Sequence, residues 1–197
     1  MTTDPNALPL VVTESAFDQT LISALLQARG VRGFALLSGN GPDDALTLAR
    51  GERLEHNVAV LLVVDADTDD MERAQARSED LTDLLRMGRA TSPAWAVCAV
   101  PALEVVLFKN PRWLRSLFPE VDSRSIEFGV DSPTSELRRI AGRGWKDTLA
   151  SALRRADPTD LAEMSRDPLL DDIATFVTRT TEFTPRALAA PRAGFGV

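Results

Sequence analysis

Thirteen residues constrain this chain more than any others: Val58-Ala59-Val60-Leu61-Leu62-Val63-Val64-Asp65-Ala66-Asp67-Thr68-Asp69-Asp70, an unbroken apolar run that stops abruptly in acids. A run with no polar face is predicted as a strand buried on both sides, the kind found in parallel sheets covered by helices. Open sheets of that class take their ligands beyond the carboxyl ends of the strands. Side chains alternate along a strand, so Asp65 and Asp67 are expected on one side of it, where paired carboxylates suit a divalent cation.

The flanking sequence repeats the pattern. Residues 8–12 form a short apolar run. Phe17, Leu21, Ile22 and Leu25 then recur at helical spacing up to Gly30, a natural helix C-cap. Residues 34–37 read as a second strand that ends in the turn cluster Ser38-Gly39-Asn40-Gly41-Pro42, with a helix opening at Asp43. Residues 71–87 read as a charged helix and 94–100 as a fourth strand. Strand and helix alternating at this spacing predict a mostly parallel α/β sheet of about four strands over residues 1–110. Beyond it the pattern turns helical, with helices expected at 111–118, 134–141, 145–155 and 168–180 in an extension over 111–183. Residues 184–197 lack periodicity and are expected to be an extended or disordered tail.

A chain of 197 residues, 44% of them hydrophobic, can bury one substantial core. No apolar run approaches the roughly 18 residues that cross a bilayer, and the N-terminal residues are polar, so a cytoplasmic protein is expected. The single cysteine, Cys98, lies in an apolar run and is expected to be a buried, inert thiol. The net charge of −7 is unevenly spread: residues 1–108 hold 8 Lys and Arg against 16 Asp and Glu, and residues 109–197 hold 14 against 13. Bound divalent ions would offset the acidic excess where it is concentrated, so the net charge does not exclude a phosphate-bearing ligand.

Acidic groups follow three of the expected strands: Glu14 with Asp18, Asp65 with Asp67, and Glu104. Convergence of such groups from separate strands is how a fold builds a metal site. Oxygen ligands without a nearby histidine or thiolate favour Mg²⁺ or Mn²⁺, and His56 stands at the wrong end of its strand to join them. Asp69, Asp70 and Glu72 are accounted for by the preference of acids for a helix N-terminus.

Glu14 after the first strand, a turn with Gly39 and Gly41 after the second, and Asp65-x-Asp67 after the third together resemble the TOPRIM domain of topoisomerases, primases and overcoming-lysogenization-defect (OLD) nucleases. The segment Val12-Thr13-Glu14-Ser15-Ala16-Phe17-Asp18 is similar to the Glu-x-x-x-Asp form of the OLD-like branch. Pro101-Ala102-Leu103-Glu104 looks like the acidic motif that follows the fourth strand there. The resemblance covers about residues 8–110. It implies a TOPRIM, Rossmann-like sheet in which Glu14, Asp18, Asp65 and Asp67 hold Mg²⁺ or Mn²⁺ and Glu104 serves a second site. Lys146 is matched by role, not by motif, to the lysine that such nucleases place near the scissile phosphate. The implied activity is hydrolysis of nucleic-acid phosphodiesters, DNA first among them, in phage defence or DNA repair. Two metals would clamp the attacking and leaving oxygens.

The chain has no tyrosine, so the phosphotyrosine intermediate of a topoisomerase cannot form on it. It has no G-x-x-x-x-G-K-[ST] motif, so an accompanying ATPase would act from another protein, and an oligomer is compatible with the sequence. Arg138, Arg139, Arg143, Lys146, Arg154 and Arg155 form either a solvated face or a surface that tracks phosphates. Trp113 and Trp145, beside basic residues, read as core or as base-stacking platforms. Two alternatives stand beside the nuclease. One is a haloacid-dehalogenase-like phosphatase using Asp65-Ala66-Asp67-Thr68 with Lys146 and Asp171-Asp172; the other is a catalytically silent module that acts with a separate ATPase.

Overall fold

The computed structural model describes residues 8–179. Its centre is a four-stranded sheet of β1 (Leu10–Thr13), β2 (Ala35–Ser38), β3 (Val60–Asp65) and β4 (Ala94–Ala99), all parallel, in the order β2-β1-β3-β4. The apolar run behaves as its composition dictates. Leu61 and Val63 enter the core on one face of the sheet, while Val60, Leu62 and Val64 enter the core on the other. Complete burial of each such side chain is worth about 1.5–3 kcal/mol, which fixes β3 in the interior of the sheet.

The helices α1 (Ala16–Ala28), α2 (Pro42–His56) and α3 (Met71–Arg86) connect the strands. From β1 the chain steps outward to β2, then passes back over β1 to reach β3. Parallel crossovers are right-handed, so reversing direction changes the face that each helix covers. Accordingly α1 packs into the Val11, Leu61 and Val63 core, while Ala45 and Ala49 of α2 and Leu85 of α3 pack into the opposite one. The reversal leaves a crevice at the carboxyl ends of β1 and β3, where ligands of open α/β sheets bind.

Seven further helices follow: α4 (Val105–Phe108), α5 (Pro111–Leu117), α6 (Ser123–Asp131), α7 (Pro133–Ala141), α8 (Trp145–Leu153), α9 (Pro158–Met164) and α10 (Pro168–Thr178). Leu137, Trp145, Leu149, Ile173 and Phe176 from them join the same apolar cluster as α1 and the sheet. Three of these helices are additions to the sequence reading. The four residues of α4 are uniformly apolar and carry no period. Helices α6 and α9 do carry start signals, an Asp122 side chain accepting from the Ser125 N–H and an Asp157-Pro158 pair at the cap. Trp113 and Trp145 are both core residues. The expected tail at 184–197 lies outside the described residues. Among the described residues no helix is long and apolar enough to cross a membrane.

The turn after β2 is built on close backbone approach. A Cβ on Gly39 would stand 2.4 Å from the backbone nitrogen of Ala45, and Gly41 takes φ +105° at the start of α2. The N–H of Gly39 donates to the Thr13 carbonyl and that of Gly41 to the Glu14 carbonyl, both at 2.9 Å. This turn therefore holds the end of β1 in place. Gly39→Ala is expected to destabilise the fold by about 1–3 kcal/mol, the usual cost of forcing an extra methyl into a packed site, seen as a lower urea midpoint at unchanged m-value.

Candidate functional site

Glu14 and Asp65 meet at the crevice. Asp65 is the last residue of β3, and its N–H donates to Glu14 Oε1 at 2.8 Å. The Asp65 carboxylate turns toward the segment after β4, where Oδ1 accepts from the Leu103 N–H at 2.8 Å. The next residue in that segment, Glu104, is 2% exposed, and its Oε2 has no hydrogen-bond partner. Ser15 caps α1: its hydroxyl accepts from the Asp18 N–H and donates to Asp18 Oδ2 at 2.8 Å, which holds this buried carboxyl in the first helical turn. Glu14 itself precedes the helix, so the two acids are neighbours through the cap.

These four carboxyls act on one another. Burial pushes the Asp65 pKa up to about 8, reinforced by the charges of Glu104, Asp18 and Glu14 and opposed by the Leu103 N–H. Glu104 is raised to about 7, first by burial and then by Asp18, with Lys146 pulling it back. Burial also raises Glu14 and Asp18, Asp18 being eased by Ser15 and Lys146. Lys146 reaches the cluster from α8. The preceding Trp145 packs edge-on against Phe17 of α1 at 5.1 Å and 74°, and the Lys146 ammonium sits 5.3 Å from the Trp145 ring centre. A contact in the core thus fixes the start of α8, and with it Lys146, beside the start of α1.

Asp67 is placed differently from the strand-alternation expectation. β3 ends at Asp65, and Asp67 lies beyond it with φ +54°, its N–H bonded to the Pro101 carbonyl at 3.0 Å. Its side chain is 74% exposed and pairs with Arg77 of α3 at 3.4 Å. The alternation rule stops where the strand stops. Sequence reading also missed Arg77. The available signal was its place in α3, beside the buried stripe Ala74, Ser78 and Thr82 that faces the sheet.

Of the basic residues, Arg138, Arg143 and Lys146 line a shallow depression of about 460 Å³ with Trp145 and Asp147. Arg139 is committed elsewhere, its guanidinium forked onto the buried Glu136 carboxylate and bonded to the Ser125 hydroxyl at 2.8 Å. Arg154 and Arg155 are exposed at the opposite end of α8 from Lys146. His56 lies at the end of α2 beside Glu52, away from the acids. Asp171 pairs with Arg29 just beyond the far end of α1. Cys98 is half-buried, and burial pushes its thiol up.

The same architecture is found in solved structures. The C-terminal region of the Burkholderia pseudomallei OLD protein superimposes with a TM-score of 0.51 at 18% identity, over 85% of this chain and 98% of that one. The C-terminal region of the Xanthomonas campestris pv. campestris OLD protein does so with a TM-score of 0.52 at 15% identity, over 86% and 96%. The chain has an OLD-like TOPRIM fold. No family model matches the sequence, and no curated protein matches it significantly. At these identities the likeness is one of fold.

Those residues suit a hard divalent cation. The donors are carboxylate oxygens, and Glu104 Oε2 is a buried acceptor without a hydrogen-bond partner. Among the described residues no three acidic, histidine or cysteine side chains are already gathered into a metal-ready group.

Metal-free protein should show the cost of ionising these acids. A carboxyl whose folded pKa is raised binds its proton more tightly when folded, so its stabilising effect is complete below about pH 4, its unfolded pKa, and is lost as pH rises through the folded value. For Asp65 that window runs from 3.8 to about 8. In EDTA, the urea midpoint should fall from about pH 5 to about pH 9, and Asp65→Asn should flatten this decline. An equally steep decline in Asp65→Asn would show that Asp65 does not titrate as described.

Proposed function

We propose that the chain is a Mg²⁺- or Mn²⁺-dependent nuclease that hydrolyses phosphodiester bonds of nucleic acid, DNA being the substrate we favour. The observation that carries this reading is the approach of Glu14, Asp65 and the buried Glu104 at the topological switch point, with the Lys146 charge acting on Glu104. Glu14, Asp65 and Glu104 would hold the cation, with Asp18 adding charge from its place on the Ser15 cap. A cation bound there would neutralise the carboxylates and polarise a phosphodiester for attack by water.

The remaining work falls to the protein. The Lys146 ammonium, a compact charge with three donors, would neutralise negative charge that builds on the phosphoryl oxygens during an in-line displacement. Arg138 and Arg143, in the same depression, would bind neighbouring phosphates and hold the strand in register. Arg139 is engaged with Glu136 instead, and Arg154 and Arg155 would meet a longer substrate at the other end of α8. Asp67 would join the cation site only on leaving Arg77. We place the activity in phage defence or DNA repair, with any ATP hydrolysis supplied by a separate protein. The phosphatase alternative finds less support, because Asp171 is engaged with Arg29 some eleven residues along α1 from Asp18, about 16 Å away at helical rise.

Incubation of purified protein with supercoiled plasmid and Mn²⁺ tests the proposal. Nicking should fall at least about 100-fold in Asp65→Ala and in Glu14→Ala, the scale expected when a group that stabilises the transition state is removed. It should also fall in Lys146→Met. Equal nicking by wild type and Asp65→Ala would overturn it. The Arg138→Ala/Arg143→Ala variant should weaken DNA binding and lower the slope of log affinity against log salt by about 2, one for each phosphate left without its arginine. An unchanged slope would remove these two residues from the interface.

A further inference from the structure

The start of α1 faces two ways. Successive residues of a helix stand about 100° apart, so Phe17 and Gln19 lie on opposite flanks with Asp18 between them. Phe17 meets Trp145, which puts the basic depression of Arg138, Arg143 and Lys146 on one flank. Gln19 meets β2 on the other, where its Nε2 donates to the Leu36 carbonyl at 3.0 Å. From that contact a second depression, of about 380 Å³, runs between α1 and the outer strand β2. Gln19, Ser23 and Gln27 form one wall, and Leu36, Phe34 and Arg32 line the rest.

The make-up of this groove suits a polyanion better than a peptide. No acidic residue lines it, although the chain carries a net charge of −7, and its one charge is the exposed Arg32 at the far end. The two amides and the hydroxyl, spaced by four on one helical face, offer donors and acceptors to sugars and base edges. Half-buried Phe34 offers a ring on which a base can stack. A peptide added as a fifth strand would need the outward carbonyls of β2. The N–H groups of Ala35 and Gly39 point to β1, so the Leu36 carbonyl, of opposite parity, points outward, and Gln19 already holds it. The volume is near the bottom of the range that seats a small molecule, so it takes about one or two nucleotides of one strand and not a duplex.

We infer that a single strand of nucleic acid, after crossing the carboxylate cluster from Lys146, leaves through this groove between α1 and β2, with one base on Phe34 and one phosphate on Arg32. The inference rests on reading the cluster as a nuclease site. It deepens that reading by making the substrate single-stranded on one side of the bond that is cut. From a duplex, the groove takes a frayed end or a locally opened segment.

Fluorescence anisotropy of the full chain with a labelled oligothymidylate of about 12 nucleotides, a length within the range that single-strand grooves cover, tests this beside a labelled hairpin duplex. EDTA in the buffer keeps both probes intact. Phe34→Leu, which removes the ring and keeps apolar bulk, should weaken oligothymidylate binding at least about fivefold, the low end for one lost base stack. Arg32→Ala should lower the slope of log affinity against log salt by about 0.7, the share of one phosphate on a single strand. Ser23→Glu, a charge added on the wall outside the core, should weaken binding even where Phe34→Leu disturbs folding. In all three variants the hairpin duplex should bind within about twofold of wild type. Unchanged oligothymidylate binding in all three would overturn the inference and return the groove to a peptide strand. Equal losses on the duplex would overturn it as well, since the groove would then be a general anion surface. The outcomes separate it from the nuclease proposal. Plasmid nicking by a chain whose groove variants bind as wild type does sinks only the inference. The groove effects without nicking sink only the nuclease. A wild-type chain that neither binds the oligothymidylate nor nicks sinks both.

Discussion

The hydrogen bond from the Asp65 N–H to Glu14 Oε1 joins the ends of the two central strands, and the rest of the site depends on it. It commits an acceptor of one acid to the backbone of the next, so the two acidic residues are held as neighbours across the strand ends. The Leu103 N–H does the same for Asp65 Oδ1 and draws in the segment that carries Glu104. Backbone donors thus assemble like charges that would otherwise separate. Burial first and the neighbouring acids second favour the protonated forms, which pushes Asp65 up to about 8 and Glu104 to about 7.

That arrangement is costly unless something positive is nearby, and the fold supplies it from two directions. Lys146 arrives on α8, fixed through the Phe17–Trp145 contact, so a packing interaction in the core sets an electrostatic one at the surface. Arg77 arrives on α3 from the other side of the sheet. The helices after β4 share one apolar cluster with α1 and the strands, which lets a residue more than a hundred positions from Glu14 act on the same few carboxyls.

The same constraint explains the glycines after β2. Gly39 and Gly41 let the turn approach the start of α2 and place their N–H groups on the Thr13 and Glu14 carbonyls. They orient the backbone from which Glu14 projects. A turn that reads in sequence as mere punctuation is a structural support for the acid one strand away.

The parallel α/β class, the positions of all four strands and the three helices between them are legible in the amino-acid order, because apolar runs without a polar face and helical spacing of Phe17, Leu21 and Leu25 leave few alternatives. The same order marks Glu14 and Asp65, since acids that end buried strands need a reason to be there. The strand order, and with it the adjacency of Glu14 and Asp65, emerges on folding; register and crossover are properties of pairing, not of any one segment. Folding alone moves Asp67 off the strand and onto Arg77, assigns Arg139 to Glu136, and brings Lys146 to the acids. Charge partners are chosen by distance through space, and the chain's local periodicity carries no record of that distance.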